Sequence, residues 1–137
     1  MALEVPADIV GEIIAKKNIL IVEDNVTDAI LLSTRVHRLY PKYNILFAGS
    51  VYAAYNACKE HEIDLILLDL NLPDGYGANT VEEIKRFNRR SPIIVVTGME
   101  TEELAEASLE LGADNFLKKS RLSGEAFKKM ICEYLVK

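Results

Sequence analysis

Residues 64–75 read Asp64-Leu65-Ile66-Leu67-Leu68-Asp69-Leu70-Asn71-Leu72-Pro73-Asp74-Gly75. Four consecutive apolar residues, Leu65 to Leu68, run straight into an acid, and the acid runs into a turn-forming stretch. A run without polar alternation suits a strand covered on both faces, as in a parallel sheet. Nothing about the strand itself calls for the carboxylate of Asp69.

The same pattern recurs on either side. Asn18 to Val22 runs into Glu23 and Asp24, Ile93 to Val96 into Thr97 and Gly98, and Phe116-Leu117 into Lys118 and Lys119, while Ile45 to Ala48 makes a further apolar run. Longer stretches with helical spacing lie between them. Asn25 is placed to cap a helix carrying Ala29, Leu32, Val36 and Leu39, and Ser50 to cap the next, to about Glu60. Thr80 and Glu83 have capping-box spacing, although a helix begun near Tyr76 would enclose them. Thr101 precedes Glu102 and Glu103, whose acids complement a helix dipole, and Gly112 supplies a stop. Ser123 opens the last helix, with Phe127, Met130, Ile131 and Tyr134 facing inward. Five βα units in this order predict an α/β fold: an open five-stranded parallel sheet, doubly wound, with right-handed crossovers.

Composition narrows the classes. The chain has 137 residues, half of them hydrophobic, and a net charge of −5. That suits one domain with a real core, not a disordered segment. The acidic balance argues against a nucleic-acid footprint. Cys58 and Cys132 follow no metal or redox spacing and read as free thiols in a reducing compartment. No apolar run approaches the ~20 residues of a membrane span, and no basic region precedes an apolar run at the N-terminus. The expected location is the cytoplasm, with neither membrane nor nucleic acid as partner.

Ligands on doubly wound sheets bind beyond the carboxyl ends of the strands. Three carboxylates (Glu23, Asp24, Asp69), the Thr97 hydroxyl and a lysine ammonium would converge there. Carboxylates that close repel one another unless a cation sits among them. Hard oxygen donors suit Mg²⁺, and a nearby lysine can pair with an aspartate or a phosphoryl oxygen. The set fits phosphoryl chemistry, which is mostly positioning and charge neutralisation. Each residue alone has an ordinary reading: Asp24 as a helix cap, Thr97 as a loop threonine, Lys119 as a solvated charge. Their weight comes from sharing one edge.

The stretches Val22-Glu23-Asp24-Asn25, Asp64 to Gly75, Val95-Val96-Thr97-Gly98 and Gly112-Ala113-Asp114-Asn115-Phe116-Leu117-Lys118-Lys119 resemble, in order and spacing, the receiver domain of two-component response regulators. The resemblance covers about Asn18 to the C-terminus. It implies a flavodoxin-like sheet of strand order 2-1-3-4-5 in residues 18–137. It implies that Asp69 is the phosphoacceptor and that Glu23, Asp24, Asp69 and the backbone carbonyl of Asn71 hold Mg²⁺. Thr97 and Lys119 would bind the phosphoryl group, with Lys119 preferred to Lys118 for its distance from the Gly112-Ala113 turn. Gly98 would keep the site approachable, and Phe116 would be the aromatic that switches. The implied donor is a histidine kinase or a histidine phosphotransfer protein. The implied output is a downstream protein bound through the fourth helix, fifth strand and fifth helix, with homodimer formation left open. Such a domain is a switch that promotes its own phosphorylation and dephosphorylation, not a classical enzyme.

Three departures stand out. Ser120 follows the lysine where receivers usually have proline, so that bond loses the ease of adopting cis. Phe116 replaces the commoner tyrosine. Residues 1–17 extend beyond the usual start, and Val5, Ile9, Ile13 and Ile14 would line one side of a short extra helix after Pro6. His37 and His61 have no partner at metal spacing and read as structural. Two rival readings are an interaction module of receiver fold that works without phosphorylation, and a flavin-binding or phosphatase-like α/β protein. Against the latter, Glu23-Asp24-Asn25 repels phosphate, and Asn71 stands where an aspartate-nucleophile phosphatase carries a second acid.

Overall fold

A computed structural model of the chain describes residues 16–98 and 101–135. The helix expected after Pro6 therefore lies outside the described residues. The strands are β1 (Asn18–Val22), β2 (Asn44–Ala48), β3 (Leu65–Leu68), β4 (Asn71–Leu72), β5 (Gly75–Tyr76), β6 (Ile93–Thr97) and β7 (Asn115–Lys118). The helices are α1 (Val26–Leu39), α2 (Val51–Glu60), α3 (Asn79–Phe87), α4 (Glu102–Glu110) and α5 (Glu125–Leu135). A short 3₁₀ turn, Lys119–Arg121, joins β7 to α5.

The five long strands form one parallel sheet in the order β2-β1-β3-β6-β7, which is 2-1-3-4-5 when only its own strands are counted. The two-residue strands β4 and β5 make a separate antiparallel hairpin that the sequence pattern does not announce. Alternate side chains feed two cores, as the pleat requires. Leu20, Val22, Ile66, Leu68, Ile93 and Val95 face α2, α3 and α4. Ile19, Ile21, Leu65, Leu67, Ile94 and Val96 face α1 and α5, meeting Leu32, Val36, Phe127 and Ile131. All of β3 is buried, which accounts for its lack of alternation.

The caps decide where helices start. The Asn25 side chain accepts from the Asp28 amide at 3.0 Å, Ser50 from Ala53 and Thr101 from Leu104. Thr80 does not cap: α3 begins at Asn79, and Thr80 is buried on its inner face. Gly112, at φ +118°, takes the left-handed conformation that ends α4. None of the described helices is long and apolar enough to cross a membrane.

Candidate functional site

The parallel sheet brings the ends of β1, β3, β6 and β7 to one edge, and four of the expected side chains meet there. Glu23 and Asp69 are buried, 7 % and 5 % exposed, while Asp24 next to them is open to solvent. Oxygen atoms of these three carboxylates lie within 4.8 Å of one another. Backbone pairing sets the spacing: the Asp69 amide donates to the Val22 carbonyl at 2.9 Å, and the Glu23 amide to Ala48 at 2.9 Å. The Asn25 amide then donates to the Glu23 carboxylate at 3.2 Å, turning that side chain inward while Asp24 points out.

Lys119 enters from the 3₁₀ turn. Its Nζ stands 2.5 Å from Glu23 Oε1, 2.8 Å from Asp28 Oδ2 and 3.5 Å from Asp69 Oδ2. Lys118, the last residue of β7, pairs in register with Thr97 instead. Lys119 thus reaches the carboxylates with Ser120 after it, and every described peptide bond, including Lys119–Ser120, is trans. Sequence reasoning missed Asp28. By pattern it is an ordinary acid in the first turn of α1, complementing the helix dipole.

One ammonium faces three carboxylates in this pocket, with the exposed Asp24 carboxylate beside them. Burial pushes the Glu23 carboxyl up to about 7, against the pull of the Lys119 ammonium and with the help of the Asp69 carboxylate. Burial also pulls Lys119 down, but its bonds to Asp28 and Glu23 and the charge of Asp69 outweigh this and hold it above its ordinary value. A pocket of hard oxygen donors with excess negative charge has the character of a divalent-cation site, and the residues fit Mg²⁺.

Thr97 ends β6, fully buried, and Gly98 after it is exposed. Among the described residues nothing lies within 4 Å of a Cβ added at Gly98, so they leave the approach open there. Asn71 starts the β4–β5 hairpin two residues beyond Asp69. Phe116 is half-buried on β7, packed against the core under α2, α3 and α4.

The hairpin is clamped. The Gly77 amide donates to the Leu70 carbonyl at 2.8 Å. The Asp74 carboxylate accepts from the Val51 amide at 2.7 Å and the Tyr52 amide at 3.0 Å, the first turn of α2. An acid there satisfies donors the helix cannot use and complements its dipole. Gly75 permits the approach, since a Cβ on it would sit 2.7 Å from Val51 Cγ2.

With fold and site in view, comparison with known proteins defines the class. Residues 19–131 match the family model of the response regulator receiver domain, and the chain belongs to that family. The transcriptional regulatory protein ZraR of Salmonella typhimurium is 32 % identical over 104 residues, covering 76 % of this chain and 23 % of that protein. The chain thus spans about a quarter of the length of the curated relative it matches. The signal receiver domain of a DNA-binding response regulator from Colwellia psychrerythraea superposes with a TM-score of 0.79 at 24 % identity, over 89 % of this chain and all of the other. The Mn²⁺-bound form of response regulator Rcp1 superposes at 0.72 with 30 % identity, over 88 % of this chain and 96 % of the other.

Proposed function

We propose that this receiver domain is a phosphorylation switch in which Asp69 accepts a phosphoryl group from a phosphohistidine of a histidine kinase or histidine phosphotransfer protein, with Mg²⁺ bound by Glu23, Asp24, Asp69 and the Asn71 carbonyl. The observation that carries it is the buried Asp69 carboxylate, set among Glu23, Asp24 and the Lys119 ammonium at the edge of the sheet. The Mn²⁺-bound relative supports a divalent ion in the same fold.

When bound, Mg²⁺ would supply positive charge to the phosphoryl oxygens and lessen the repulsion among the carboxylates. The chain's own residues do the rest. An oxygen of Asp69 forms the new bond to phosphorus as the bond from phosphorus to the donor imidazole breaks, and the leaving nitrogen keeps the electron pair. The walls of β1 and β3 hold the acceptor still, which is the positioning such transfers depend on. The Lys119 ammonium, 3.5 Å from Asp69, is placed to meet the charge the new group brings. The Thr97 hydroxyl would donate to the same group, drawing its loop inward. Water later cleaves the acyl phosphate, returning the Asp69 carboxylate and inorganic phosphate.

Output passes by protein contact through α4, β7 and α5, where Phe116 responds by packing alone because it has no hydroxyl. Cytoplasmic residence follows from this chemistry, since its phosphohistidine donors are intracellular kinases.

The test is intact mass after incubation with Mg²⁺ and acetyl phosphate or phosphoramidate. The protein is expected to gain one phosphoryl group, and Asp69→Ala to gain none. No gain in the parent chain, or an equal gain in Asp69→Ala, refutes the proposal.

A further inference from the structure

The edge of the sheet at β2 carries an apolar groove that the described residues leave uncovered. β2 is the terminal strand, paired only to β1. Phe47, near its end, is 57 % exposed, and Ile30 on α1 is equally exposed. Beside Phe47 runs a groove of about 390 Å³ with Ser33, Thr34, His37 and Arg38 of α1 on one wall and Ile45 and Phe47 of β2 on the other. Ile45 and Phe47 make its β2 wall apolar. Its lower end is basic, where His37 and Arg38 close the last turn of α1. An open edge strand with an exposed aromatic invites pairing, and proteins commonly cover such edges.

The chain before β1 departs from the lower end of this groove. The Lys17 carbonyl accepts from the Asn44 amide at 2.8 Å, at the foot of β2. The sequence leading there is Pro6-Ala7-Asp8-Ile9-Val10-Gly11-Glu12-Ile13-Ile14-Ala15. Its apolar residues fall at 9, 10, 13 and 14, one helical stripe, and its acids at 8 and 12 form a row beside it. Ten helical residues reach about 15 Å, close to the roughly 16 Å of a five-residue strand. Length, point of departure, apolar stripe and charge all complement the groove.

We propose that residues 6–15 dock in this groove as a helix running down the edge of the sheet, antiparallel to β2. Ile9 covers Phe47, Ile13 covers Ile45, and Glu12 lies against Arg38 and His37. The occupant is the chain's own segment, and the docking does not depend on phosphoryl chemistry at Asp69.

A disulfide trap tests it in the full chain. In a Cys58→Ala, Cys132→Ser background, Ile9→Cys and Phe47→Cys are introduced together and mildly oxidised. Monomer with both thiols consumed is the expected product. A cross-linked dimer gives the groove to a second copy and overturns the proposal, as does failure to cross-link. Amide shifts supply a second readout in the Ile9→Ser, Ile13→Ser chain. Changes are expected at Ile30, Thr34, His37, Arg38, Ile45 and Phe47, and changes confined to residues 5–17 overturn the proposal.

Discussion

Glu23→Gln is expected to make the metal-free protein more stable at pH 8 and nearly neutral at pH 5. Burial and the adjacent Asp69 raise the Glu23 carboxyl from 4.5 to about 7 even with Lys119 in contact. An acid whose folded value is raised favours folding below its unfolded value, and loses that contribution as pH climbs through the folded one. The penalty for ionised Glu23 thus appears between pH 4.5 and about 7. At about 1.4 kcal/mol per unit it reaches on the order of 3 kcal/mol by pH 8 and stays below about 1 kcal/mol at pH 5. The side chain is 3 % exposed, so solvent screening removes little of this. Glutamine keeps the shape and is never charged. The assay is urea denaturation of both proteins in EDTA at the two pH values, with linear extrapolation to water. The expected gain at pH 8 corresponds to roughly 10 °C in melting temperature for a domain of this size. Excess Mg²⁺ should then reverse the order, because the glutamate chain gains more from the bound ion. A variant no more stable than the parent at pH 8, or equally advantaged at both pH values, refutes the electrostatic reasoning.

Lys119→Met removes the ammonium from a pocket holding Glu23, Asp28 and Asp69; without metal at pH 8 it should lose about 3 kcal/mol, most of it recovered in excess Mg²⁺, as read by thermal melts. Asp74→Ala strips both acceptors from the first turn of α2 and should lower stability by about 1 kcal/mol, with faster amide exchange at Val51 and Tyr52. Among the described residues the buried Thr80 hydroxyl has no hydrogen-bond partner, so the near-isosteric Thr80→Val should stabilise the chain by about 1 kcal/mol in a urea titration.

The strands were legible because their signal is local. A run such as Ile93 to Val96, buried throughout, carries its environment in its own composition. Asn25, Ser50 and Thr101 were legible as caps because a cap bonds within three residues. The residues expected at the site share one edge because the topology delivers strand ends there whatever the contacts between them. What could not be read is what those contacts choose. Asp28 looks like any acid in a first helical turn, and only the fold brings Lys119, 91 residues away, to its carboxylate. Asp74 belongs by pattern to a turn, yet it is spent on α2, whose first turn lies 23 residues earlier. Thr80 has the spacing of a cap, but the helix starts before it and the core claims it. In all three, tertiary contact overrides a local preference that is itself correct.

The clasp between Asp74 and α2 makes the pocket mechanically lopsided. The hairpin that follows Asp69 is tied at Leu70 and again at the head of a helix anchored in the core, so this wall behaves as a fixed jaw. Across from it, Gly98 stands beside open space and Lys119 reaches in on a long, bendable stem. A rearrangement set off by new charge at Asp69 would then be channelled to the β6 and β7 side. Loosening the fixed jaw would let the disturbance dissipate in both directions.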